Sequence, residues 1–235
     1  MRVALLISLA AATQLAACTQ AAKQPEPKTD DEKALYSMGV ILAENLLSFE
    51  LTDTELAMVR AGLTDGAKDA SKLKPEDMEV LLPKIQALRT DRMTAALDRE
   101  KKAGAEQIEK AAAEAGAEKT ASGMVFKSVT EGNGPSPSAE DMVRVHYEGR
   151  LVNGKVFDSS RERGEVAEFP LNGVIECWTE GVQKMKVGGT AQLTCPPEMA
   201  YGDRGNPPQM PGGATLVFDV ELLEIVSGDA APAAE

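Results

Sequence analysis

The stretch Val174-Ile175-Glu176-Cys177-Trp178-Thr179-Glu180-Gly181-Val182 contains the only tryptophan of the chain. Two β-branched residues open it, and a short amphipathic helix pattern follows. Leu171, Val174, Trp178, Val182 and Met185 recur at near-helical spacing, so one face is apolar. Taken alone, the run is satisfied by Trp178 as the largest side chain of a small core, because tryptophan is highly buried on average. Its neighbours in sequence give it a further meaning.

On both sides of this helix the hydrophobic period is two. Met124 to Val129 reads as a strand, and Gly132 to Ser138 as a Gly/Pro/Ser loop. Val143, Val145 and Tyr147 alternate with polar residues. Asn153-Gly154, between Leu151-Val152 and Val156-Phe157, predicts a type I′ hairpin. Phe169 to Leu171 and Thr190 to Cys195 are further strands, and Pro196 to Gly213 is a long loop. In Ala214 to Val226, Leu216, Phe218, Val220 and Leu222 lie on one face. The pattern is an antiparallel sheet with one short helix across it, an α+β domain over 122–227, followed by a loose tail at 228–235.

Upstream the period is helical. Leu35, Met38, Leu42, Leu46 and Phe49 form one apolar stripe. Thr52 and Glu55 make a capping-box pattern opening a second helix with Leu56, Val59 and Leu63 on its face. A third helix starts at Pro75, with Met78, Leu82, Ile85 and Leu88 apolar. Pro83 inside it is expected to kink or interrupt it. From Asp98 to Lys119 only Ile108 is large and apolar, so this part is expected to be a solvated helical spacer over 98–121. Gly104 and Gly116 are expected to weaken it. A helix continuous from Pro75 to Lys119 would span roughly 65 Å. The short helices of 30–97 cannot cover their own stripes, which predicts an all-α dimerisation region that interlocks with a second copy.

The first residues read as a processing segment. Arg2 is a one-charge start, and Val3 to Ala12 is too short an apolar run to span a bilayer. Leu15-Ala16-Ala17-Cys18 resembles the bacterial lipobox, which implies removal of 1–17 and lipid on Cys18. An ordinary secretory signal with a chance cysteine is the alternative. Thr19, rather than Asp, after the cysteine leans towards the outer membrane. Residues 18–29, with Pro25 and Pro27, read as a flexible tether. In that oxidising compartment the two other cysteines, Cys177 and Cys195, are expected to pair. Two buried free thiols are the alternative. The formal net charge of −12, with no basic stripe, disfavours nucleic acid as a partner.

Aromatic residues make up only 4% of the chain, and most fall in the sheet region within recognisable surroundings. These are Val145-His146-Tyr147-Glu148-Gly149, Gly154-Lys155-Val156-Phe157-Asp158-Ser159-Ser160, Val174-Ile175 with Trp178, Ala200-Tyr201-Gly202, and Ala214 to Leu222. In order and spacing they resemble an FKBP-type peptidyl-prolyl cis-trans isomerase domain from about Gly123 to Val226. The helical region, with Tyr36-Ser37-Met38-Gly39, is similar in layout to the dimerising part of Mip-like and FkpA-like bacterial lipoproteins. The resemblance implies an FKBP-like sheet wrapped around one helix and an apolar pocket for a prolyl ring. Trp178 would be its floor, and Tyr147, Phe157, Val174, Ile175 and Phe218 its walls, with Phe169 beside them. The Tyr201 hydroxyl and the Ile175 N–H would meet the substrate, Asp158 would stand at the rim, and Met210 would overhang. Asp158 has a second reading, as a carboxylate ordering the loop around Ser159 and Arg163. His146, out of phase with Tyr147, reads as structural.

Ala167 stands where many family members have an aromatic wall, and Cys177 where a glycine is common. The implied chemistry is rotation of Xaa-Pro bonds in partly folded polypeptides, with no metal or cofactor. A dimeric holdase in which isomerisation is secondary, and a structural envelope lipoprotein with a dead pocket, are the competing functions.

Overall fold

The computed structural model describes residues 25–226. The expected signal peptide, the lipid-bearing Cys18, most of the 18–29 tether and the 228–235 tail lie outside the described residues. By backbone proximity the chain divides into a unit ending at Leu42 and one beginning at Ala43.

α1 (Asp30–Glu44), which ends two residues into the second unit, opens with three acidic residues. Thr29 caps it: its hydroxyl accepts from the Glu32 N–H at 3.2 Å, and the Glu32 carboxylate accepts from the Thr29 N–H at 2.9 Å. Leu35, Met38, Ile41 and Leu42 are all exposed.

The second unit starts with a 3-10 turn (Leu47–Phe49), then α2 (Asp53–Ala67) and α3 (Pro75–Ala112). The expected capping box forms at Thr52, whose hydroxyl accepts from the Glu55 N–H while the Glu55 side chain accepts from the Thr52 N–H. Arg92 on α3 ties these pieces together. It donates to the Phe49 carbonyl at 2.7 Å and to both oxygens of Glu55, at 3.0 and 2.5 Å. Those bonds hold the Glu55 carboxyl at about 2, far below its ordinary 4.5, with Arg92 the largest cause.

Two expectations for α3 are corrected. The helix runs through Pro83 without interruption. The proline removes one N–H from the ladder, but Pro83 and Glu79, whose carbonyl is freed, are exposed and water can take that bond. Secondly, α3 ends at Ala112, giving 38 residues and about 57 Å. Gly116 lies in the turn beyond it, and Ala117–Lys119 is a strand, β1.

Nor is the stretch from Asp98 solvated all round. Gly104 and Ala111 are buried, and α3 packs on β1 and on two strands of the sheet, β2 (Val125–Thr130) and β6 (Thr190–Cys195). A Cβ on Gly104 would lie 2.2 Å from the Thr215 hydroxyl oxygen, so the glycine is a point of close approach and not merely a weak spot in a helix. Val125, Thr194 and Val217 form one register row on this outer face, and all three are buried.

The remaining strands are β3 (Met142–Leu151), β4 (Val156–Ser159), β5 (Ala167–Pro170) and β7 (Leu216–Val226). Two short helices, α4 (Ser160–Arg163) and α5 (Glu176–Gln183), complete the domain. The sheet is antiparallel in the order β1-β2-β6-β7-β3-β4, with β5 also pairing with β3. Alternation sends Val143, Val145, Tyr147, Leu193, Leu216, Phe218 and Leu222 to the inner face, where they join Trp178 and Val182 of α5 in one hydrophobic cluster.

The β3–β4 hairpin forms at the expected place, but its turn differs. The Gly154 N–H donates to the Leu151 carbonyl at 2.9 Å, and the Leu151 N–H to the Lys155 carbonyl at 2.9 Å. Gly154 has φ +85°, whereas Asn153 has no positive φ, which a type I′ turn requires. The loop is therefore a type I turn closed by a glycine bulge. Asn153 instead uses its side chain, which accepts from the Lys155 N–H at 3.0 Å.

Candidate functional site

Trp178 is placed by the first turn of α5, on the inner face of the sheet, and is only 4% exposed. Three rings meet its indole edge-on: Tyr147 from β3 at 5.2 Å, Phe218 from β7 at 5.4 Å and Phe169 from β5 at 5.8 Å. Interplanar angles of 86–89° match the T-shaped arrangement that the ring quadrupole favours. Phe157 from β4 packs on Phe218 at 5.7 Å. Gly149 makes this possible, because a Cβ there would lie 2.6 Å from the Phe157 ring and 2.8 Å from that of Phe218.

Phe157, Phe169, Val174 and Ile175, which pack against this cluster, are half-buried. Ala200 packs there too, and Tyr201 after it is 40% exposed. Two polar groups at these positions have no partner among the described residues. The Ile175 carbonyl accepts from the Trp178 and Thr179 N–H groups, but its own N–H donates to nothing. The Tyr201 hydroxyl likewise makes no hydrogen bond. Met210 is buried within the same hydrophobic cluster, its backbone bridged to Asn206.

Asp158 is half-buried beside Tyr147. The Tyr147 hydroxyl donates to one carboxylate oxygen and Arg163 to the other. Arg163 also donates to the Tyr147 hydroxyl at 3.2 Å and lies 5.6 Å over its ring. Burial, then the bond to Asp158, pushes the Tyr147 hydroxyl above its ordinary value. With both oxygens engaged, Asp158 has the geometry of a carboxylate that orders its loop. Ser160, which the sequence did not mark out, is fully buried and accepts from the Tyr147 N–H at 2.9 Å. Its hydroxyl also lies 3.1 Å from His146 Nδ1, so His146 serves the scaffold.

Cys177, next to Trp178, is bonded to Cys195 of β6, with Cα atoms 5.7 Å apart. The bond pins the helix that carries the indole to the sheet. Ala167, in the place of an aromatic wall, is half-buried and packs against the cluster. Two surface hollows of about 290 and 280 Å³ lie elsewhere and include no atom of Trp178. The larger is on the outer face, among His146, Glu148, Arg161, Asp219 and Glu221 with the apolar Val129 and Ala191.

An indole ringed by three aromatic side chains on the inner face of an antiparallel sheet narrows the class. This chain belongs to the FKBP-type peptidyl-prolyl cis-trans isomerases. That family matches residues 134–223, and the domain amino-terminal to FKBP-type peptidyl-prolyl isomerase matches residues 31–127. The chain is similar to the FKBP-type peptidyl-prolyl cis-trans isomerase FkpA of Escherichia coli K12, with 39% identity over 225 residues, covering 88% of this chain and 82% of that protein. The FKBP-type 22 kDa peptidyl-prolyl cis-trans isomerase of the same organism is 37% identical over 207 residues, 86% of this chain and 98% of that one. The crystal structure of FkpA from E. coli superposes with a TM-score of 0.63 at 37% identity, covering 84% of this chain and 97% of that one.

Proposed function

We propose that the cluster around Trp178 is where this isomerase acts, on Xaa-Pro bonds of unfolded or partly folded polypeptides in the cell envelope. The observation that carries the reading is the indole, ringed edge-on by Tyr147, Phe169 and Phe218; the Ile175 N–H and Tyr201 hydroxyl, unpaired among the described residues, support it. The prolyl ring would lie against Trp178, with Tyr147, Phe157, Phe169, Val174, Ile175 and Phe218 around it and Met210 in the bordering loop. The barrier to rotation is loss of amide resonance, about 18–20 kcal/mol. A dry apolar seat excludes water from the amide as its nitrogen becomes pyramidal. The two free donors can take a carbonyl in the twisted arrangement better than in either planar isomer, which is catalysis by differential binding. Asp158 acts through the loop it orders, with Arg163.

On this reading residues 122–227 are the isomerase domain and 30–97 the dimerisation region, joined through 98–121. The exposed Met58 (73%), Val80 (77%), Leu82 and Ile85 on α2 and α3, and the apolar residues of α1, support a homodimer in which a second copy covers them. Sedimentation of a chain starting near Thr29 tests this: a dimer at micromolar concentration is expected, and a monomer contradicts it. The Leu15 to Cys18 motif supports lipidation of Cys18 and an outer-membrane anchor facing the periplasm. No helix of the described residues is long and apolar enough to cross a membrane.

The same exposed helix faces favour a second reading, a holdase for which the isomerase site is secondary. Proline-limited refolding separates the two. Trp178→Ala with Tyr201→Phe should abolish the acceleration; a holdase would still suppress aggregation, and would do so better with the helices than without. Equal refolding rates for wild type and variant would reject the site.

A further inference from the structure

The loop from Tyr201 to Gly213 joins β6 to β7 and carries Tyr201 and Met210. It is tied internally, by the Gly205 N–H to the Tyr201 carbonyl at 3.1 Å and the Gly213 N–H to the Gly202 carbonyl at 2.9 Å. One flank of it rests on α3. A Cβ on Gly213 would lie 2.7 Å from Leu97 Cδ1 and 3.0 Å from Lys101 Cγ, so the helix runs directly along the loop's end. One turn on, Lys101 Nζ meets the Asp203 carboxylate at 2.7 Å. A further turn on, Gly104 sits against Thr215, whose buried hydroxyl has no hydrogen-bond partner. Two contacts thus hold the loop against α3, and a third holds the residue that leads from it into β7.

We infer that Leu97 and Lys101 of α3 are positioning residues for the isomerase site, setting the loop that presents Tyr201 and Met210 to the substrate. The inference rests on reading those two residues as part of the site. Sequence patterning alone leaves Lys101 as one more charge on a polar helix. The consequence is that the long helix acts on turnover as well as preceding the sheet domain. Displacement of α3 from the sheet would loosen the Tyr201 loop while leaving the rings around Trp178 in place, since those rings are carried by β3, β5, β7 and α5.

The test uses the full chain and a short Xaa-Pro peptide. Lys101→Glu should lower kcat roughly threefold with KM little changed, the size an exposed ion pair supports and the signature of an interaction made in the twisted state. The double charge swap Lys101→Glu with Asp203→Lys should restore kcat. Gly104→Val, which wedges the helix off Thr215, should lower kcat likewise, with the near-ultraviolet circular dichroism of Trp178 reporting that the core stays folded. A purely structural role would lower the Tm of these variants without moving kcat. Wild-type kcat in Lys101→Glu and Gly104→Val, with Tyr201→Phe impaired in parallel, would overturn the positioning role alone. Wild-type behaviour of Tyr201→Phe as well would overturn the site assignment and the inference with it.

Discussion

The Tyr147 hydroxyl donates a hydrogen bond to the Asp158 carboxylate, across the pairing of β3 with β4. Arg163 neutralises the carboxylate from the other side and lies over the phenol ring. Tyr147 is therefore wall and tether together. Its ring packs on Trp178, and its oxygen fixes the loop that follows β4.

This bond has a pH signature. The folded state raises the Tyr147 pKa above its ordinary 10, through burial first and Asp158 second. The neutral phenol is the form the fold favours, so its contribution is complete below pH 10 and is lost as the pH rises through the higher folded value. Urea unfolding at alkaline pH should show the wild type losing stability in that range and Tyr147→Phe losing less. At neutral pH the same substitution should cost about 1 kcal/mol, the net worth of a partly buried hydrogen bond.

The Cys177–Cys195 bond closes a short loop, with a sequence separation of 18, around α5. Replacing both cysteines by alanine should reduce unfolding free energy by about 3 kcal/mol on the chain-entropy account. Thiol titration of the unfolded, unreduced protein should find neither Cys177 nor Cys195 reactive. Two reactive groups there would contradict the pairing.

Acid should loosen the helical region through Glu55. Its folded pKa of about 2 lies below the ordinary 4.5, so its contribution is present above pH 4.5 and lost as the pH falls through 2. Carboxyl-carbon NMR should find Glu55 titrating near 2 in the wild type and shifted back towards 4.5 in Arg92→Ala.

Much of this fold could be read from local pattern. β6 begins and ends where Thr190 and Cys195 are bracketed by Gly188-Gly189 and Pro196-Pro197, and the Thr52 cap needs only Glu55 three residues on. Two of the misreadings share one cause: a local motif compatible with two outcomes. Asn153-Gly154 serves a two-residue turn or a bulged three-residue one, and the choice depends on strand register. Gly104 in a polar run looks like a helix defect until Thr215, over a hundred positions away, is seen against it. Ala117–Lys119 has no strand pattern at all and becomes a strand only because Val125 to Lys127 lie alongside. At the site, the aromatic set is marked by its resemblance to the FKBP family. The reach of Arg163 to the Tyr147 hydroxyl and the buried Ser160 beneath it belong to tertiary placement, which no local signal carries.

The most direct test of the account is kcat/KM on a short Xaa-Pro peptide for wild type and Tyr201→Phe. Tyr201 is 40% exposed and its hydroxyl bonds to nothing in the described protein, so its loss should leave folding stability nearly untouched. If that hydroxyl meets the substrate beside the Trp178 floor, kcat/KM should fall roughly tenfold, about the free energy of one hydrogen bond. An unchanged kcat/KM, with the fold intact, would contradict the claim that rotation takes place there.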